Sequence, residues 1–279
     1  MNYSAPYGFQ QVLRDAVADV STRGYVSAEQ IDYWRGLLRN AAERETPSEA
    51  QIDAMMRDAM GAIFRREIDN ARIVRRVPGV SRYSLAMVRP QLRGELDRRI
   101  MASADLIKIR RKDAIEKTLA RFAGWSTSIP AGSYADVDKR KVKADIGKGV
   151  AQFRYERARV ATDQGHKLVA NVAEIVALDS GAIAAIWHDR GEHDRNYDAR
   201  KEHLARSGKL FLVKDSWAIR EGLVRLGSRP YTDEIERPGQ LVFCSCFYEW
   251  ITSPRRLPDD CMTRKGHAWL ADGGQRKAA

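Results

Sequence analysis

Gly181-Ala182-Ile183-Ala184-Ala185-Ile186-Trp187-His188 is where the chain changes its pattern. Before it, apolar residues recur at helical spacing. Here a short apolar run is bounded by a glycine and by charges, which favours a strand. Lys209-Leu210-Phe211-Leu212-Val213 and the run from Gln240 to Ile251 read the same way. The expected fold is therefore mainly α with a small α+β C-terminal module: a helical N-terminal body, then short strands after residue 181.

Working upstream, a long helix is predicted over about 150–178. It turns Phe153, Val160, Leu168, Val172, Ile175 and Val176 inward and ends before Asp179-Ser180-Gly181. Ser27-Ala28-Glu29-Gln30 reads as a capping box, followed by Ile31, Trp34, Leu37, Leu38 and Ala41 at helical spacing. Thr46-Pro47-Ser48-Glu49 is a second start signal, and its helix is expected to reach about Val74, before Pro78-Gly79. Further helices are predicted near 90–102 and 104–123. The turn formers from Gly124 to Ser133 mark a boundary, followed by the basic run Lys139-Arg140-Lys141-Val142-Lys143. These signals divide the chain into a helical basic region (1–124), a linker (125–149), a C-terminal module (150–270) and a fraying tail (271–279).

A chain of 279 residues with 44% hydrophobic content can bury a real core. No run of apolar residues is long enough to span a bilayer, so no membrane contact is expected. Met1 to Pro6 lacks the basic and apolar segments of a secretory signal. The odd count of three cysteines, two of them one residue apart, favours a reducing compartment over a disulfide framework. A cytoplasmic site of synthesis is expected.

The charge is lopsided, with 48 Lys+Arg against 37 Asp+Glu. Between Arg65 and Arg111, thirteen cationic residues meet five carboxylates. Arginine suits phosphate because its guanidinium forks onto two oxygens. Arg65, Arg72, Arg75, Arg76, Arg110 and Arg111 are the candidate contacts to a double-stranded DNA backbone, and Arg65, Arg72 and Arg76 could share one helix face. Few aromatics are interleaved with them, which argues against stacking on single-stranded bases. A free DNA-binding protein and a self-paired solvated surface are the other readings of the same residues.

Three of the five histidines and two of the three cysteines fall between Trp187 and Cys246. If Gln240 to Ile251 is a strand, Cys244 and Cys246 project from one face. Joined by His203 and by His188 or His193, they could supply four ligands to a structural zinc, the one cofactor these residues admit. They could equally be small buried residues beside histidines that only hydrogen-bond. A catalytic reading is a metal-dependent nuclease or DNA-processing factor using His188, His203 and Asp189, with Asn196 between them. The spacing fits no compact nuclease motif.

The order of residues from Glu156 to Trp250 carries more. Arg157-Ala158-Arg159-Val160-Ala161, Gly181, Trp187, Asp198-Ala199-Arg200-Lys201-Glu202-His203, Gly208, Pro238-Gly239 and Cys244-Ser245-Cys246 follow one another. In this the chain resembles the Mu F-type minor head proteins of tailed phages, also called head morphogenesis proteins. Asp163-Gln164 stands where that family often has Thr-Glu, and the Cys-x-Cys lacks the common central Arg. The resemblance implies a non-enzymatic structural protein of the virion head, made in the host cytoplasm and present in multiple copies. It implies portal and major capsid protein as partners in capsid assembly, and packaged DNA as a neighbour. It carries over His203, Cys244 and Cys246 as a motif and assigns them no catalysis.

Overall fold

A computed structural model describes residues 8–131, 133, 137–189 and 201–274. It is mainly helical with a small three-stranded antiparallel sheet near the C-terminus, the class expected from the sequence. In chain order the elements are α1 (Phe9–Arg23), α2 (Ala28–Glu45), α3 (Glu49–Phe64), α4 (Arg82–Thr127), α5 (Lys139–Asp179), β1 (Ala184–His188), α6 (Lys201–Arg206), β2 (Leu210–Leu212), α7 (Trp217–Arg220), β3 (Phe247–Ile251) and α8 (Arg264–Ala271). They form two compact units: Met1–Arg57 with Met101–Ala161, and Asp58–Ile100 with Thr162–Ala279. These units do not follow the expected boundaries at residues 124 and 150, because α4 and α5 are longer than the sequence signals implied. Residues 275–279 of the expected tail lie outside the described residues.

In the first unit, α1 has no counterpart in the sequence reading. Its N-cap, Gly8, offers no side chain, so the usual start signal is missing. Yet Phe9, Val12, Leu13, Ala16, Val17 and Val20 are buried at helical spacing against Trp34, Leu38, Ile115, Leu119 and Phe122. The α2 cap is the expected one. Ser27 Oγ accepts from the Gln30 amide at 3.3 Å, while Gln30 Oε1 reaches one residue further back, to the Val26 amide at 3.0 Å. Thr46 ends α2 instead of starting α3, with its hydroxyl donating to the Ala42 carbonyl at 2.8 Å. The cap of α3 is Ser48, whose Oγ accepts from the Gln51 amide at 3.3 Å while Gln51 Oε1 accepts from Ser48 N–H at 2.8 Å.

The two helices predicted near 90–102 and 104–123 are one helix, α4. Pro90 forfeits one backbone bond, but Val88, Leu92 and Leu96 are buried on either side and hold the helix down. Gly124 to Thr127 belong to its last turn, not to a linker. There the Ser126 and Thr127 hydroxyls donate back to Phe122 and Ala123 carbonyls, both at 2.8 Å. Likewise Asp138 Oδ1 accepts from the Arg140 and Lys141 amides at 2.9 and 3.2 Å and starts α5 at Lys139, so the basic run is helical. Within this unit α5 presses on α4 at Gly149, where a Cβ would stand 2.5 Å from the Ala114 carbonyl oxygen.

In the second unit α3 stops at Phe64, short of the expected Val74, in a π turn over Arg65–Asp69. Ala71 then takes a left-handed φ of 52°, and a 3-10 turn covers Arg72–Arg75. The sheet order is β2-β1-β3, with both pairings antiparallel. Period-two alternation sorts its side chains. Ile186, Leu210, Leu212 and Ile251 meet Trp217, Leu223 and Met262 in a small core. On the other face Trp187, Phe211, Tyr248 and Trp250 form an aromatic layer with Trp187–Tyr248 centroids 5.6 Å apart. The outer side of β3 is met by the turn before α4, where Trp250 N–H donates to the Arg76 carbonyl at 2.7 Å.

Asp19 ties α1 to α2, accepting from Trp34 Nε1 at 2.7 Å and Gln30 Nε2 at 2.9 Å. Burial works to raise its pKa, but the hydrogen bonds from Trp34, Gln30 and Arg23 outweigh it and hold the carboxyl below its ordinary value. Its stabilising contribution is therefore full above the unfolded-state carboxyl pKa and is lost as pH falls through the folded one. Asp19→Asn is expected to cost about 2 kcal/mol in urea unfolding at pH 7. The gap from the parent should narrow as pH falls toward the carboxyl range.

Candidate metal centre

Three elements of the second unit converge on one buried point. The aromatic face of β1 presents Trp187, which is wholly buried. Helix α6 lays His203 edge-on against that indole with centroids 5.1 Å apart, and one turn later sets Arg206 over it at 5.3 Å. The Gly208 turn, with φ of 77°, returns the chain into β2, and the Gly208 amide donates to the Trp187 carbonyl at 2.8 Å. From the other side come Cys244 and Cys246. His203 Nδ1 lies 3.4 Å from Cys244 Sγ and 3.7 Å from Cys246 Sγ. His203 is 3% exposed and both cysteines are buried.

These three side chains offer ligand atoms within 4.8 Å of one another and could hold a metal ion. Sulfur and nitrogen bound to one small tetrahedral ion stand about 3.5 Å apart, which the two observed separations bracket. Beyond the imidazole, its Nε2 has no hydrogen-bond partner among the described residues, and the Glu236 carboxylate stands 3.9 Å away. A carboxylate behind a ligating histidine is the usual orienting partner. On the sulfur side, Asp189 Oδ1 lies 3.7 Å from Cys246 Sγ.

The thiols are unequal. A hydrogen bond from Cys246, opposed by burial and supported by the Gly239 and Cys246 amides, holds the Cys244 thiol well below the usual thiol range. The same pairing with Cys244, together with burial, pushes Cys246 up. The Gly239 amide donates directly to Cys244 Sγ at 3.3 Å. Gly239 has φ of 78°, and a Cβ there would stand 3.0 Å from Ala170 Cβ. The Pro238-Gly239 pair thus brings a backbone donor to the sulfur whose thiol is held low.

The cysteines do not lie on a strand. β3 begins only at Phe247, and Cys244 to Cys246 form an irregular approach to it. What aligns them is a turn at Phe243, a non-glycine residue with φ of 60°. Its amide donates to Asp163 Oδ1 at 2.6 Å, and Lys167 Nζ holds Asp163 Oδ2 at 2.6 Å. Asp163 is 5% exposed and sits on α5, far away in sequence. The sequence reading missed its role, and a carboxylate at a helix position otherwise turned inward was the available signal.

His188 is not part of the centre. The alternation that sends Trp187 to His203 sends His188 to the opposite face, where it stacks on Phe247 and lies 3.1 Å from Glu249 Oε2. His193 and Asn196 lie outside the described residues. Of the candidate arginines, Arg72 and Arg76 line one cleft and the others do not join them. Arg65, Arg72 and Arg76 share no helix face, because the chain leaves the helix before Ala71. Arg65, Arg72, Arg75 and Arg110 are exposed. Arg76 is mostly buried beside Glu67. In the first unit Arg111 donates to Thr46 Oγ1 and the Glu43 carbonyl, both at 3.0 Å, securing the end of α2 instead of facing a ligand. No helix among the described residues is long and apolar enough to cross a membrane. Comparison with protein-family models, curated proteins and solved structures returns no match.

Asp163→Ala would remove the buried acceptor that the Phe243 amide and the Lys167 ammonium share. It is expected to cost about 3 kcal/mol in denaturant unfolding. Cys244 and Cys246 should then react with a thiol reagent under native conditions much faster than in the parent.

Proposed function

We propose that this chain is a minor head protein of a tailed phage, a structural component of the virion with no enzymatic activity. One observation carries the reading. Trp187, His203, Gly239, Cys244 and Cys246, which bear the resemblance to Mu F-type proteins and are scattered along the chain, meet at a single buried centre, and the exposed Gly208 turn bonds to the Trp187 carbonyl beside it. A set of residues that recurs in fixed order for a structural reason should do this.

In this reading the centre is a structural clip that holds zinc through His203 Nδ1, Cys244 and Cys246. Thiolate and imidazole donors suit zinc, and a small α+β module gains fold stability from it. Asp189 Oδ1 stands behind the Cys246 sulfur at 3.7 Å and is not one of the three clustered ligands. The burial of all three ligands favours a structural role. The protein would be made in the host cytoplasm, assemble in several copies with portal and major capsid protein, and lie near packaged double-stranded DNA. The exposed arginines of the second unit's turns suit backbone contacts that fade with salt. The orientation of His188, turned away from His203, favours this reading over a nuclease.

The direct test is the protein content of heads purified from a phage carrying this gene. The chain is expected in intact heads, at a small fraction of the major capsid protein, and heads should lose it when His203→Ala replaces the parent. Heads that contain none of it while the lysate does would refute the reading. Independently, purified protein is expected to carry about one zinc per chain. Cys244→Ser and His203→Ala should remove that zinc and lower the melting temperature, and plasmid DNA should stay intact in magnesium and in zinc.

A further inference from the structure

We infer that a cleft of about 380 Å³ in the second unit, lined by Arg66, Arg72, Arg76, Glu67, Thr162 and Ser245, binds the phosphate group of a ligand of nucleotide size. The inference goes beyond the virion reading and does not depend on it. Three arginines line the cleft against one carboxylate, so its interior favours an anion.

Two of these arginines, Arg66 and Arg76, share a partner on the protein. Glu67, with its side chain 4% exposed, accepts from Arg76 Nη1 at 3.2 Å and from Arg66 Nε at 3.4 Å. A carboxylate removed from water in this way requires both cations and fixes where they stand. Arg76 is held a second time by its backbone, through the Trp250 amide, and a third time by its guanidinium lying 5.3 Å from the Phe247 ring centroid. Guanidinium groups fixed before binding lose little entropy when they fork onto phosphate oxygens. Exposed Arg72 adds a charge at the solvent side, and the Thr162 and Ser245 hydroxyls add neutral donors.

Size narrows the ligand. Small-molecule sites enclose roughly 300–1,000 Å³, and this cleft falls at the low end. A phosphomonoester on a nucleoside fits, whereas a duplex backbone, whose diester phosphates lie along a wide cylinder, cannot be enclosed. The shared chemistry is therefore a terminal phosphate, carried by a free nucleotide or by the end of a DNA strand.

The test uses the full chain at low salt with four probes: inorganic phosphate, AMP, and a short duplex bearing either a 5′-phosphate or a 5′-hydroxyl. Phosphorus NMR titration follows the first two and fluorescence anisotropy the duplexes. Saturable binding of AMP is expected if the source is a free nucleotide. A preference for the 5′-phosphorylated duplex over its hydroxyl twin is expected if it is a strand end. Arg72→Ala should weaken whichever binds by about tenfold, and Thr162→Glu, which puts a carboxylate on the rim, should weaken it further. Both positions are exposed, so unchanged melting curves will show that the fold is kept. The inference is overturned if none of the phosphate-bearing probes binds saturably, or if both variants bind as the parent does.

Discussion

Two thiols and an imidazole packed against a tryptophan, away from water, set the terms for the rest of the C-terminal module. Polar groups buried in such a place need partners, since leaving them unpaired costs several kcal/mol. The structure answers with His203 Nδ1 at 3.4 Å, the Gly239 amide at 3.3 Å and the neighbouring thiol. Meeting that need recruits parts distant in sequence: β1 for the indole wall, α6 for the imidazole, the Pro238-Gly239 turn for a backbone donor, and α5 for Asp163. The small sheet supplies a platform, and the centre fixes how the long connection from β2 to β3 lies upon it.

This organisation explains why the irregular segment before β3 can be well defined without strand pairing. Phe243 holds a left-handed backbone that a bulky residue adopts only when its surroundings compel it. The compelling group is the Asp163 carboxylate, itself fixed by Lys167. The cleft lined by Arg66, Arg72 and Arg76 reaches Ser245 and Cys246, so the same segment separates a buried His/Cys cluster from a cationic surface.

The fold class was legible because it rests on periodicity. The apolar run after Gly181 could be read as a strand from its length and its boundaries, and Ser27 with Gln30 marked the start of α2. Other features depend on partners that no local window contains. Gly124 argued for an end and separate helices were expected near 90–102 and 104–123, yet burial of Leu92, Ile107 and Phe122 carries α4 through as one helix. The helix α1 was silent because Gly8 caps it without a side chain. At the centre, His203, Cys244 and Cys246 were readable from composition and order. His188 was assigned wrongly because adjacent strand residues face opposite ways. The cysteines were paired correctly for a reason that does not hold, since a turn set by Asp163 aligns them and not a strand. Asp163 was signalled only by a carboxylate at an inward helix position, and its partner Phe243 shows only in three dimensions.

The central claim is that His203, Cys244 and Cys246 hold one zinc as the clip of this module. X-ray absorption at the zinc edge of the purified full chain tests it most directly. The account expects two sulfur neighbours at about 2.3 Å with nitrogen and oxygen neighbours at about 2.0 Å, and loss of one sulfur in Cys246→Ser. Zinc surrounded only by nitrogen and oxygen, or a natively folded protein whose zinc spectrum is unchanged by that substitution, would contradict it.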